Sequence, residues 1–529
     1  MTGCREGSSQ FRRAALPVRA ARTFRRVPVS SRKLWAAKDL SICRSERDGR
    51  QRNQIWKMKP SFCRLPSIVA LIGGILLTSC SPAPSPLESP GSSPSLSADS
   101  SPEVYDSEFR RFVEMKRTQV KRLAEGLENP VHPRIWKYFD ALAAGEYQTA
   151  EAHGDFLNQR APDRTVLTIA WPAVNDTIGV YESFRDWSPK YRERFGKDII
   201  ASIPRGSIFF GGTDPGRYLI TYYSKSHERG DPFFTITQNQ LASSMYVDYI
   251  RELYSSTIKT PSVADSQKAF EDYIKDATLR MSTGMLRPGE IVSTNNGQAS
   301  VSGQVAVMSI NALLSKTIID NNPDREFYIE ESFPMEWMLP HLTPHQLIMK
   351  INREPVAEFT AETVAQDHEY WSKVAGGMIG DWLDYDTSVS EVAKFSRKTY
   401  LDRNYANFTG DLRFLRDESA QKSFSKLRTG IANLYSWRAN DDALRNNADE
   451  QKRMIKESEF AFKQAFALCP YSPEVVFKYA KLLMSLAKQD PSRLDDALAI
   501  AEVCRDLDPG NDQVKGLVRK LKKLKAASK

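Results

Sequence analysis

The feature that most constrains this chain is a short apolar run that ends in a cysteine. Leu65 to Leu77 is a 13-residue, mostly apolar stretch, too short for a bilayer span of about 20 residues. Met58 stands ahead of it, with Lys59 and Arg64 supplying positive charge, and Leu77-Thr78-Ser79-Cys80 closes it. That layout predicts a secretory signal peptide over 58–79, not a membrane span. No later stretch of the sequence is apolar enough to cross a bilayer, so whatever folds must do so after Cys80 as a body held outside the cytoplasmic membrane.

The closing tetrapeptide matches the lipobox of bacterial lipoproteins: a branched apolar residue, two small residues, then cysteine. Small residues fit the signal peptidase and the thiol receives the diacylglycerol. The expected mature N-terminus is lipidated Cys80. Each buried methylene contributes about 0.8 kcal/mol, so more than one acyl chain gives a stable anchor. Expected localisation is the cell envelope, facing periplasm or exterior, with inner and outer membrane both open. Residues 81–102 hold nine Ser and six Pro in 22 positions. With Cys80 they form an expected tether, 80–102, that cannot build a core and lifts the folded part off the membrane.

Charge is unevenly placed. The whole chain carries +9, but residues 1–57 hold 15 basic and 4 acidic residues, whereas residues 80–529 hold 57 basic and 61 acidic ones. Residues 1–57 read either as a misassigned start, with translation beginning at Met58, or as a basic disordered arm. The slightly acidic body has no footprint for phosphate backbones, so no nucleic-acid partner is expected. Beyond Cys80 only Cys469 and Cys504 remain. A bridge and two buried thiols are both compatible with an exported chain, and one pair is no disulfide framework.

The folded part is predicted to begin with a helical hairpin over 103–160. Phe109, Phe112, Val113, Val120, Leu123 and Leu127 recur at helical spacing, with Arg110, Arg111, Lys116, Arg117, Lys121 and Arg122 assigned to the opposite face, read as solvated or, alternatively, as a contact for anionic lipid beneath the tether. Ile135 to about Leu157 reads as a second helical stretch with an Ala-Gly-Glu-Tyr turn. Residues 161–360 then alternate short β-branched runs with helix candidates: Thr165–Trp171, Gly206–Gly212, Phe233–Gln238, Glu326–Glu330 and Leu347–Ile351 as strands, Arg217–Ser224, Met245–Tyr254 and Asn311–Ile319 as helices. The predicted fold class is α/β, a parallel or mixed sheet with flanking helices, followed by a connecting helical segment, 361–416, and an all-α, tetratricopeptide-like region, 417–529.

In open α/β sheets ligands gather where strands end and helices begin. The strand Gly206–Gly212 delivers Thr213, Asp214 and Arg217, and the next delivers Gln238 and Asn239. These five are the candidate ligand-binding residues. Asp214 followed by Pro215 equally fits a helix cap with proline in the first turn. Glu330 and Glu331 end a later strand. His341 and His345 are four apart, but Pro340 and Pro344 break the helix that would make them a metal pair. No phosphate loop, nucleophile elbow or Cys/His pair occurs. No catalytic residue, metal or cofactor is expected.

The runs IPRGSIFFGGTDPGRYLITYY, FFTITQNQLASSMYVDYIRELY and REFYIEESFPMEWMLPHLTPHQLIMKINREP resemble the soluble part of a family of large multi-spanning membrane proteins related to the protein O-mannosyltransferases. The resemblance covers about residues 197–355 and a helical-repeat tail. It aligns Gly211-Gly212-Thr213-Asp214 with a glycine- and aspartate-bearing turn after an apolar strand, and Gln238-Asn239 with an Asn-rich strand end. The membrane-embedded transferase core is absent from this chain, so the resemblance implies an accessory or acceptor-binding domain rather than glycosyl transfer.

The C-terminal region follows the tetratricopeptide pattern of helix pairs with small residues at contact points and a closing proline. Ala497, Ala501, Cys504 and Pro509 mark one second helix, with Ala480 on the helix before it. Ser458, Phe462, Ala465 and Pro470 mark the unit before. Residues from Asn511 onward read as a basic terminal helix capping the stack. The functional expectation is a non-catalytic envelope lipoprotein that binds a protein through its repeats, or a glycan or glycoconjugate. The alternative is a carbohydrate-active enzyme or an accessory subunit of a glycosyltransferase system, which needs a second acidic group beside Asp214.

Overall fold

The computed structural model describes residues 107–159, 166, 168–212, 214–295, 298–330, 335–441 and 447–527, without the side chains of Asp214, Asn295 and Gln298. Cys80, the signal and tether segments and residues 1–57 lie outside the described residues.

Helix α1 (Ser107–Ala124) buries Phe109, Phe112, Val113, Val120 and Leu123 on one face. Lys116 is on that face too, which corrects its assignment to the solvated side. Position 116 lies four residues from both Phe112 and Val120, so the helical period itself turns the lysine inward. The second helical stretch is two helices, α2 (Pro133–Ala144) and α3 (Tyr147–Gln159), hinged at left-handed Gly145. They pack against each other, and α1 packs on α2 and on α4 (Trp171–Asp186).

The expected strand at Thr165–Trp171 is also corrected. Its described residues before Trp171 form turns, and Trp171 opens α4. Pro172 explains this: it has no N–H to give a sheet ladder, yet suits the first turn of a helix, where that N–H has no partner anyway. Helix α5 (Pro189–Ser202) likewise starts on a proline after Ser188.

Strand β1 (Ile208–Gly211) is buried throughout. It leads to α6 (Asp214–Tyr223), the single turn α7 (Ser226–Arg229), β2 (Phe234–Thr237) and α8 (Ser244–Tyr254). A long helix, α9 (Val263–Ser282), a hairpin of β3 (Ile291–Asn295) and β4 (Gln298–Ser302), and α10 (Gln304–Asn321) precede β5 (Phe327–Ile329). Strands β6 (Leu342–His345) and β7 (Ile348–Ile351) complete a five-stranded mixed sheet in the order β2-β1-β5-β7-β6. The first three strands are mutually parallel, and β7 runs antiparallel to both β5 and β6. The connection after β1 leads to β2 on one side, while the connection after β5 leads to β6 and β7 on the other. The connections therefore diverge between β1 and β5, the position at which open sheets place their ligands.

The rest is helical. Helix α11 (Ala361–Ile379) and α12 (Val389–Ser396) precede α13 (Glu418–Ala439) and α14 (Ala448–Leu468), which pair closely. Helices α15 (Pro473–Leu486), α16 (Arg493–Leu507) and α17 (Asp512–Ala527) follow, each packed on the one before. Small and polar contacts allow that packing. Ala465, Ala480, Ala497, Ala501 and Cys504 are fully buried. Ser458 Oγ donates to Ala432 O at 2.9 Å, and the Phe462 ring stacks on Tyr479 at 5.3 Å. A buried ion pair joins α11 to α13: Arg428 Nη1 reaches both oxygens of Asp367, at 2.9 and 2.8 Å, and Tyr435 OH donates to the same carboxylate. Among the described residues no helix is long and apolar enough to cross a membrane.

Candidate functional site

The turn after β1 is built around the Gly212 peptide. Its N–H donates to Glu330 Oε2 at 3.1 Å, and its carbonyl accepts from Asn239 Nδ2 at 2.8 Å. Glu330 follows β5 and Asn239 follows β2, so one peptide ties the ends of three parallel strands. Glycine is required nearby for a steric reason. A Cβ on Gly216 would fall 2.1 Å from Glu330 Oε2, and one on Gly211 would fall 2.7 Å from Gly216 O. The Glu330 carboxylate thus sits against the first turn of α6, where unpaired N–H groups favour a negative charge.

Of the sequence candidates, Asn239 is in this turn. Thr213, Glu331 and the side chain of Asp214 lie outside the described residues, although the Asp214 backbone does open α6. Gln238 is fully buried, and neither of its amide atoms has a hydrogen-bond partner. Arg217 is 2% exposed and its guanidinium is engaged inside the body, which removes it from a ligand-facing role. His341 Nδ1 and His345 Nε2 lie 2.9 and 2.7 Å from the carbonyls of Asn352 and Ser202, each engaged separately with backbone. Among the described residues no group of three or more His, Cys, Asp or Glu could hold a metal.

Arg217 leads to a constellation that sequence reading missed. Its Nε donates to Asp176 Oδ1 at 2.8 Å. Asp176 Oδ2 accepts from Lys116 Nζ at 2.8 Å and lies 3.0 Å from His227 Nδ1. Lys116 Nζ is also 3.0 Å from His227 Nδ1 and 3.3 Å from Tyr249 OH. Gln119 Nε2 donates to the His227 carbonyl at 2.7 Å. Helices α1, α4, α6, α7 and α8 all meet here, with Lys116, Asp176, Arg217 and His227 buried.

His227 Nε2 faces the Thr235 carbonyl at 3.3 Å, whereas Nδ1 lies 3.0 Å from both the Asp176 carboxylate and the Lys116 amine, so a ring proton finds an acceptor at either nitrogen. Burial lowers the His227 pKa to about 4, Lys116 adding to that shift and Asp176 opposing it, so the ring is neutral at ordinary pH. Burial alone would raise the Asp176 carboxyl, but Lys116, Arg217 and His227 outweigh it and hold it well below the usual range. Burial also pushes the Lys116 amine down against the pull of Asp176. The cluster joins five helices electrostatically but offers a substrate no exposed atom. A signal for it existed in the sequence: a lysine inside an apolar stripe, and Asp176 as the one charged residue of Trp171–Tyr181.

Comparison with family models, with curated proteins and with solved structures finds no match to this chain.

Proposed function

We propose that this chain is a lipid-anchored envelope protein that binds a protein or glycoconjugate partner without chemically changing it, using the α/β region and the helical tail. The observation that carries the reading is the Gly212 turn. The Gly212 N–H and carbonyl, Glu330 and Asn239 are engaged in holding three strand ends together, while the acid–base cluster beside α6 is sealed from solvent. Such an arrangement suits recognition better than proton transfer to a substrate, which needs a titratable group within reach of the reacting atom.

The tetratricopeptide reading of residues 417–529 is supported by the close packing of α13 on α14 and of α15 on α16. It is also supported by the alanines and the cysteine at their crossings. The anchor reading rests on the lipobox at Cys80, and the accessory-domain reading on the resemblance of residues 197–355.

Metabolic labelling with a fatty acid tests the anchor: native protein should be labelled and Cys80→Ala should not. Cross-linking in intact cells, followed by capture of the full chain, tests the binding role. A defined adduct should form with the native chain and be lost in Asn239→Ala at temperatures where that variant is still folded. Turnover of a glycan substrate by the purified chain, abolished by Glu330→Gln, would replace the binding reading with the enzymatic one.

A further inference from the structure

Four of the eight large apolar side chains that stand exposed among the described residues fall in the thirteen positions from Leu279 to Ile291. Leu279 is 63% exposed, Met285 65%, Leu286 39% and Ile291 54%. They occupy the end of α9, the loop beyond it and the first residue of β3. Scattered single exposed apolar residues need no explanation, but a concentration of this kind marks an interaction surface.

The loop is held at its base. The buried Glu290 carboxylate accepts from Arg280 Nη2 at 2.6 Å and from Arg280 Nε at 3.0 Å. It also accepts from Tyr273 OH at 2.8 Å and from the Arg287 backbone N–H at 3.0 Å. Left-handed Gly284 and Gly289 supply the two bends between α9 and β3. The apolar side chains are therefore presented on a braced projection. From Met281 to Leu286 the chain carries no charge, and neither strand of the adjoining hairpin does. The flanking cations are Arg280, paired with Asp276 and Glu290, and Arg287, whose Nη2 lies 3.8 Å from Glu336.

We propose that this projection inserts into the bilayer interface to which Cys80 is tethered. The proposal rests on the anchor reading. What favours a lipid surface is the length of chain between the acyl group and the body. Ser107 is the first described residue, 27 positions after Cys80. Even fully extended, a chain of that length spans at most about 100 Å, so a lipidated Cys80 keeps the body beside the bilayer and makes that surface the one its exposed apolar groups meet. An uncharged apolar tip suits that surface, its side chains entering the acyl boundary while the arginines at its base stay with their carboxylates.

The test uses the full chain with a photoreactive benzoylphenylalanine at Met285, or separately at Lys481 as a remote exposed control. The protein is reconstituted on vesicles of equal parts phosphatidylethanolamine and phosphatidylglycerol. Flotation reads the anchor, and the mass of the cross-linked adduct reads the projection. Phospholipid adducts at position 285 at least about ten-fold more abundant than at 481 are expected, falling to the control level in Leu279→Ser/Leu286→Ser. If the protein floats but position 285 gives no lipid adduct, or an adduct with a second copy or another protein, the proposal is wrong and the anchor stands. If Cys80→Ala floats as well as native protein while position 285 still labels lipid, the projection holds and the anchor fails.

Discussion

The buried His227 makes the protein acid-labile in a way one substitution should remove. Its folded pKa is about 4, against an ordinary value of 6.5. A depressed value means that the unfolded chain takes up a proton before the folded one does on acidification. Stability contributed by the neutral ring is therefore full above about pH 6.5 and is lost as pH falls toward the folded value. Each pKa unit is worth about 1.4 kcal/mol, so the whole window holds on the order of 3 kcal/mol, of which about 2 kcal/mol disappears between about pH 7 and pH 5. His227→Gln offers an N–H donor and a carbonyl acceptor in place of the ring. It cannot titrate. Urea unfolding followed by circular dichroism across this range should show the stability difference between native protein and His227→Gln shift by about 2 kcal/mol in favour of the variant as pH falls. His153 and His345 are also depressed by burial, but they are common to both proteins and drop out of the difference. Parallel curves would refute the depressed pKa and with it the neutral ring.

Asp176→Ala should cost about 3–5 kcal/mol, since it leaves Lys116 and Arg217 buried without a counter-charge. Adding Lys116→Met should recover part of that loss, read by the same unfolding assay. Gly216→Ala should cost about 1–3 kcal/mol by driving a methyl group into the Glu330 carboxylate, and far less in a Glu330→Ala background, a coupling that a double-mutant cycle measures. Cys469 and Cys504 are both free and buried, and burial pushes the Cys469 thiol up to about 12. Neither should react with iodoacetamide in the native protein, and both should in urea. Asp214→Asn should keep stability whereas Asp214→Ala loses about 0.5–2 kcal/mol if the residue caps α6. Loss of partner binding in Asp214→Asn despite normal melting would give the carboxylate a ligand role as well.

Much of the architecture was legible because its elements have clean periods. The strands at Gly206–Gly212, Phe233–Gln238 and Glu326–Glu330 are short, β-branched or aromatic, and bounded by glycine, proline or charge. The sequence reading placed them within a residue or two. Thr165–Trp171 failed because β-branched content outweighed Pro172 in the reading, although the proline sits where only a helix start tolerates it. Helix α9 went unassigned. Its buried residues Ala269, Tyr273 and Ala277 are few and small, so its apolar signal is faint despite a capping box at Ser262 and Asp265. The buried charges were missed for a different reason. Lys116, Asp176 and His227 lie 60 and 51 residues apart in sequence, and no local pattern announces that they meet. Lys116 was assigned by its charge when its position in the stripe should have decided.

The turn after β1 has the parts of an anion site: a glycine-rich bend, a helix start and a position between strands whose connections diverge. In open sheets that combination usually receives a phosphate from solution. Here the neighbouring strand delivers a carboxylate instead, and Gly216 exists without a side chain because Glu330 is already there. A phosphorylated ligand would have to displace a group that the fold holds in place at no translational cost, and would meet its negative charge on approach. Arg217, the cation nearest in sequence, is engaged by Asp176. Neutral hydroxyl or amide groups face no such opposition, and the amide of Gln238, buried without a partner at the next strand end, can serve both as donor and acceptor. Gln238 is fully buried, however, so its amide reaches no group in solution. What the turn itself settles is electrostatic: a carboxylate held against the helix start opposes a nucleotide or a phosphosugar there.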